Sequence, residues 1–130
     1  MEKKVTRQAL DKVKEQAAEL YENDQFESVI TVFKNGLAMC ELYERQHPKM
    51  MSRSDLLQSK ELKENQLYRE ELTRIKAQFN NNIASAYMAL GDYDTADSHN
   101  NEAIMLDPDY IASYVIKCLI YEDTCEYGMC

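Results

Sequence analysis

The side chains of this sequence that are able to do chemistry are few and scattered: His47, His99, Cys40, Cys118, Cys125, Cys130, nine tyrosines and the run Asn80-Asn81-Asn82. Nucleophilic catalysis needs a Ser, Cys or Thr within hydrogen-bond reach of a base that a third group orients. The chain has no GxSxG, no Gly-rich phosphate loop and no Cys/His pair in a recognisable motif. A tetrahedral metal site needs closely paired ligands. Cys118, Cys125 and Cys130 stand seven and five residues apart downstream of His99, a spacing that defines no such site. We expect no enzyme, no metal and no cofactor. Tyrosines at these spacings suit packing, and the three asparagines suit a polar helix face.

Length and composition bound what remains. With 130 residues, 45% hydrophobic and 29% charged, the chain suits one folded domain, and three Gly with two Pro leave little material for the turns of a sheet. Residues Met1 to Lys14 lack the apolar stretch of a signal peptide, and no run of about 18 apolar residues occurs. The expectation is a soluble cytoplasmic protein with reduced thiols and no membrane association.

The net charge of −8 is unevenly spread. Residues 1–43 carry six basic and eight acidic side chains, residues 44–76 eight and six, and residues 77–130 one and nine. Lys117 is the one fixed cation of that last part, which argues against nucleic-acid binding there and favours basic or neutral partners.

The elements that would position any site are helical. Leu10, Val13, Ala17, Leu20 and Tyr21 lie at the spacing of one helix face and predict a helix over Gln8 to Tyr21, broken by Asn23-Asp24. A second follows from Phe26 to about Glu44, and Pro48 closes the hairpin. Ser52 with Asp55 resembles a capping box, and the ladder Tyr68, Leu72, Ile75, Phe79, Ile83, Ala86, Tyr87, Leu90 predicts a helix that starts well before residue 77. From Leu56 to Gln66 the apolar phase weakens, so residues 52–90 read as either one helix or two. Gly91-Asp92-Tyr93 forms the next turn, a helix runs from Thr95 to Met105, Asp107-Pro108 stops it, and a last helix spans about Tyr110 to Tyr121. The polar stretch from Asp123 to Gly128 is expected to end that helix.

Residues 77–110 are 34 long and carry Ala84, Tyr87, Gly91-Asp92-Tyr93, Ala96, Ala103 and Asp107-Pro108 in an order that resembles the tetratricopeptide repeat (TPR). Alanines let two helix axes approach closely, Gly91 supplies an unusual turn dihedral, and Pro108 blocks continuation. Aligning Phe26 with Tyr93 gives a degenerate first unit with Ala17, Phe33 and Gly36 at repeat positions but no turn glycine. The resemblance implies an all-α solenoid of antiparallel helix hairpins, one TPR domain over 1–130 of about two and a half repeats. Its parts are a first repeat (8–44), an insertion and helix extension (45–76) that elongates the first helix of the second repeat, that second repeat (77–110), and an incomplete third (111–130). The insertion is similar in place to that of immunophilin-type co-chaperones.

In this family first helices line a concave groove that takes extended peptides. The carboxylate clamp that grips the acidic tails of Hsp90 and Hsp70 falls, by resemblance, on Lys14, Ala18, Asn82, Ala112 and Ile116, so two of five groups survive. The expected groove face comprises Lys14, Tyr21, Asn81, Asn82, Ser85 and Met88 beside an apolar strip of Val115, Ile116 and Leu119. The leading expectation is a non-catalytic protein-interaction adaptor for a neutral, apolar or basic peptide. The alternatives are a chaperone-binding co-chaperone module with a modified clamp, and self-association through the C-terminal helix.

Overall fold

Thr6 begins the first helix. Its backbone is extended and its hydroxyl accepts from the Ala9 N–H at 3.2 Å, satisfying one of the four amides a helix start leaves unpaired. The computed structural model describes residues 4–48, 50, 52 and 67–126, and all of its regular elements are helices. They are α1 (Arg7–Glu22), α2 (Phe26–Gln46), α3 (Arg69–Ala89), α4 (Tyr93–Leu106) and α5 (Ile111–Glu126). Leu10, Val13 and Ala17, spaced three and four apart, are the buried face of α1.

The polar turn after α1 carries an unusual residue. Asp24 has φ 57°, the left-handed region that costs most side chains energy and that Asp tolerates better than most. The turn between α3 and α4 uses Gly91 at φ 83°. Around both turns the backbone bonds are the same set. Asn23, Asp24 and Gln25 donate to Glu19, Tyr21 and Leu20, while Leu90, Gly91 and Asp92 donate to Ala86, Met88 and Tyr87, at a constant shift of 67 residues (Asp24 to Gly91). The missing turn glycine of the first hairpin is thus replaced by an aspartate in the same conformation.

α3 begins at Arg69, as the ladder from Tyr68 predicts, and its start is pinned to the first hairpin. The Tyr43 hydroxyl accepts from the Leu67 N–H at 2.9 Å, with both residues 2% exposed. The capping-box reading at Ser52 and Asp55 and the extension from Leu56 to Gln66 fall largely outside the described residues. α4 starts two residues earlier than expected, at Tyr93, because Asp92 caps it: its carboxylate accepts from the Thr95 N–H at 3.2 Å and from the Thr95 hydroxyl at 2.7 Å. α5 continues to Glu126, past the expected stop at Asp123, since Asp, Thr, Cys and Glu weaken a helix but do not break it as Gly or Pro would.

Each helix packs on its neighbour in sequence, and α3 also touches α5. Small residues set the closest approaches. Ala84, Ala96 and Ala103 are fully buried. At Gly36 a Cβ would stand 2.7 Å from Phe79 Cε2 and 2.9 Å from Val13 Cγ1, so this glycine lets α1 and α3 close over α2. The main core gathers Leu10, Val13, Val29, Phe33, Leu72, Phe79 and Ile83, with the Phe33 and Phe79 rings 5.3 Å apart. A smaller cluster of Ala84, Ala96 and Ile120 joins α3, α4 and α5, with Met88 and Ile116 against it. No described helix is long and apolar enough to cross a membrane.

Candidate binding cavity

α1 and α3 are joined at both ends by side chains rather than by close backbone packing. At one end the Arg7 guanidinium forms a two-pronged ion pair with Glu71, one arm at 2.7 Å. At the other, the Tyr21 and Ser85 hydroxyls lie 2.9 Å apart. Both pairs are 64 residues apart in sequence, so the two helices run side by side in one register. Between the bridges lies a cavity of about 460 Å³ lined by Lys14, Ala17, Ala18, Tyr21, Phe33, Gln78, Asn82, Ser85 and Tyr110.

The cavity's chemistry follows from which helix supplies each wall. α1 contributes Ala17 and Ala18, whose small side chains leave room, and Lys14. α2 contributes Phe33, 5% exposed, as an aromatic surface. α3 presents the amides of Gln78 and Asn82 and the Ser85 hydroxyl; Tyr110, just before α5, adds a phenol. Lys14 is the one charged residue of this lining, which contains no carboxylate. An apolar surface under amide and hydroxyl groups suits a buried side chain whose flanking backbone pairs with the amides.

Compared with family models, characterised proteins and solved structures, the chain has no match.

Of the nine expected groove residues, Lys14, Tyr21, Asn82 and Ser85 line this cavity. Asn81 lies behind it, 5% exposed, its amide donating to the Tyr110 hydroxyl; burial raises the Tyr110 pKa and the Asn81 bond partly offsets that. Met88 and Ile116 are packing residues of the smaller cluster, and Val115 and Leu119 are exposed on α5 outside the lining. The expected apolar strip is thus not part of the cavity wall. Of the clamp-related positions, Lys14, Ala18 and Asn82 meet in the lining, while Ala112 and Ile116 do not.

The asparagine run departs from the polar face expected of it, since Asn80 and Asn81 are each 5% exposed. Asn80 donates to the Lys76 carbonyl at 3.0 Å, which leaves its oxygen to accept from His99 Nδ1 at 3.1 Å. His99 also stacks on Tyr87 with centroids 5.7 Å apart, and Lys34 donates to the Tyr87 hydroxyl at 3.1 Å. Burial, and then the Lys34 charge, hold the His99 pKa below its usual value, with Glu102 opposing them. Cys40 is fully buried and its thiol is pushed up to about 11, chiefly by burial, so it stays protonated. Among the described residues, no three of His, Cys, Asp and Glu are grouped to hold a metal ion; Cys118 and Cys125 are exposed on α5.

Phe33, Gln78 and Tyr110 were not singled out as groove residues from the sequence. Phe33 belongs to a core ladder, and Gln78 lies between the buried Ala77 and Phe79, where no local pattern marks it as facing a groove. Only the register set by Arg7–Glu71 and Tyr21–Ser85 places Gln78 level with Lys14, again 64 residues on.

Proposed function

We propose that this chain is a non-catalytic protein-interaction module of the TPR type that holds a partner's extended segment in the cavity between α1 and α3. One side chain of the partner sits against Phe33, Ala17 and Ala18, while Gln78, Asn82 and Ser85 pair with its backbone. The observation that carries this reading is the bridged, apolar-floored slot with an amide rim. The repeated turn and the fully buried Ala84, Ala96 and Ala103 are in keeping with a TPR-type array. Neutral or apolar segments fit best, because a single lysine stands against the acidity of the chain as a whole.

A second reading has its own observation. Lys14, Ala18 and Asn82 meet in one lining without a carboxylate, which suits a single carboxylate of an acidic tail, as in a co-chaperone with a modified clamp. Calorimetric titration with a neutral apolar peptide and with an acidic tail peptide separates the two. The first reading expects the neutral peptide to bind, to be excluded by Ala18→Phe, which fills the slot from an exposed position, and to be insensitive to Lys14→Ala. Micromolar binding of the acidic peptide that Lys14→Ala abolishes establishes the second reading instead.

A further inference from the structure

α5 is apolar on two opposite faces. Ser113, Ile116 and Ile120 turn toward α3 and α4; Ser113 is fully buried, Ile120 is 3% exposed, and Ile116 packs on the smaller cluster. On the other side Ile111, Tyr114, Val115, Cys118, Leu119 and Tyr121 recur at helical spacing along one stripe, all of them exposed. Of the eight exposed large apolar side chains among the described residues, five lie on this helix. A helix that is apolar all round is one built to be covered on both sides.

The charges around the stripe say what covers it. Glu122 is exposed within it, Asp109 is exposed at its start, and Asp107 and Asp123 flank it half-buried. Lys117 donates to Asp97 at 2.7 Å and also to Asn101, and its ammonium stands 5.5 Å from the Tyr121 ring centroid, so the one cation at the edge of the stripe is already paired with a carboxylate. A second copy laid on the stripe would set these same four carboxylates against their own counterparts. A cationic helix carries the charge opposite to these carboxylates.

We propose that the outer face of α5 docks an amphipathic helix of a partner protein, with its apolar side along Ile111, Val115 and Leu119 and lysines or arginines toward Glu122 and Asp109. This surface is separate from the α1–α3 cavity. The two sites stand or fall independently.

The test uses the full chain and three synthetic peptides of equal length: one with leucines at helical spacing and lysines elsewhere, one with the same leucines and glutamates, and one with the lysines kept and the leucines changed to serine. Binding is read by calorimetry and by the gain of helix in circular dichroism. The expected result is that only the leucine-lysine peptide binds and becomes helical. Val115→Gln with Leu119→Gln, both at exposed positions, is expected to weaken it about tenfold or more at unchanged helix content of the protein. Glu122→Lys weakens it further, and Lys14→Ala leaves it unchanged. The proposal is overturned if the serine-lysine peptide binds as well, since diffuse charge attraction then suffices. It is equally overturned if the leucine-glutamate peptide binds as well, if no peptide binds, or if sedimentation shows a dimer that excludes the peptide.

Discussion

Gly36→Ala separates two physical effects of opposite sign. Helix propensity and the reduced freedom of the unfolded chain both favour alanine over glycine inside a helix, together by about 1 kcal/mol. Against this, the new Cβ would stand 2.7 and 3.0 Å from two ring atoms of Phe79 and 2.9 Å from a methyl of Val13. Phe79 is fully buried and its ring meets Phe33 at 5.3 Å, so it has nowhere to move without displacing α3 from α2. Overpacking of this kind costs about 1–3 kcal/mol. The net expectation is a loss of about 1 kcal/mol, growing to several with Gly36→Val, whose branched side chain also strains the helix. Urea denaturation followed by circular dichroism measures it, with Asn35→Ala on the exposed side of α2 as the propensity control. If Gly36→Ala stabilised the protein as much as propensity alone predicts, the close approach of Val13 and Phe79 to α2 at Gly36 would be refuted.

The two turns give a reciprocal pair: Asp24→Gly is expected to stabilise by a few tenths to about 1 kcal/mol and Gly91→Ala to destabilise by about 1 kcal/mol, because both residues hold positive φ. Equal effects of the same sign in thermal melts would contradict the equivalence of the turns. At the α4–α5 contact, the Asn100 amide donates to the Ser113 carbonyl at 2.7 Å, yet Asn100 Oδ1 and Ser113 Oγ are buried without partners. Ser113→Ala is therefore expected to be neutral or stabilising by up to about 1 kcal/mol, and a loss above that in denaturant titration would argue that the hydroxyl is satisfied. His99 has a pKa below the ordinary value of about 6.5, so the unfolded chain takes up its proton first. Its contribution is complete above that value and is lost as pH falls through 6.5 toward the lower folded pKa. His99→Gln should flatten the fall in melting temperature over that window, and an unchanged slope would rule His99 out as its source.

Helix positions were legible in the sequence to within a few residues because an apolar face repeats with the helical period regardless of what packs on it. Leu10, Val13 and Ala17 mark α1 in this way, and the ladder from Tyr68 onward marks α3. Ends were read where a breaker stands, as at Asp107-Pro108, and misread where the residues are merely polar, as from Asp123 to Glu126. The role of Asp24 was hidden, since aspartate marks a turn without declaring a left-handed backbone. The cavity was legible only on the helices already expected to face it. Lys14, Tyr21, Asn82 and Ser85 were in view, while Phe33 and Tyr110 converge from other elements through packing distances that no local pattern encodes. Met88 and Ile116 went the other way: their spacing is compatible with either face, and the Ala84–Ala96–Ile120 contact claims them.

The two registers of the molecule do not coincide. Residues equivalent under the repeated turn stand 67 apart, whereas residues that face each other across the cavity stand 64 apart. The difference, 67 − 64 = 3 positions, is about 4.5 Å of helix rise, so Met88, the counterpart of Tyr21, sits most of a turn beyond Ser85, which Tyr21 meets. The second hairpin is therefore slid along the first like the next tread of a spiral stair. A segment laid across α1 and α3 must cross them on a slant, and successive side chains of that segment would meet the two helices at different heights.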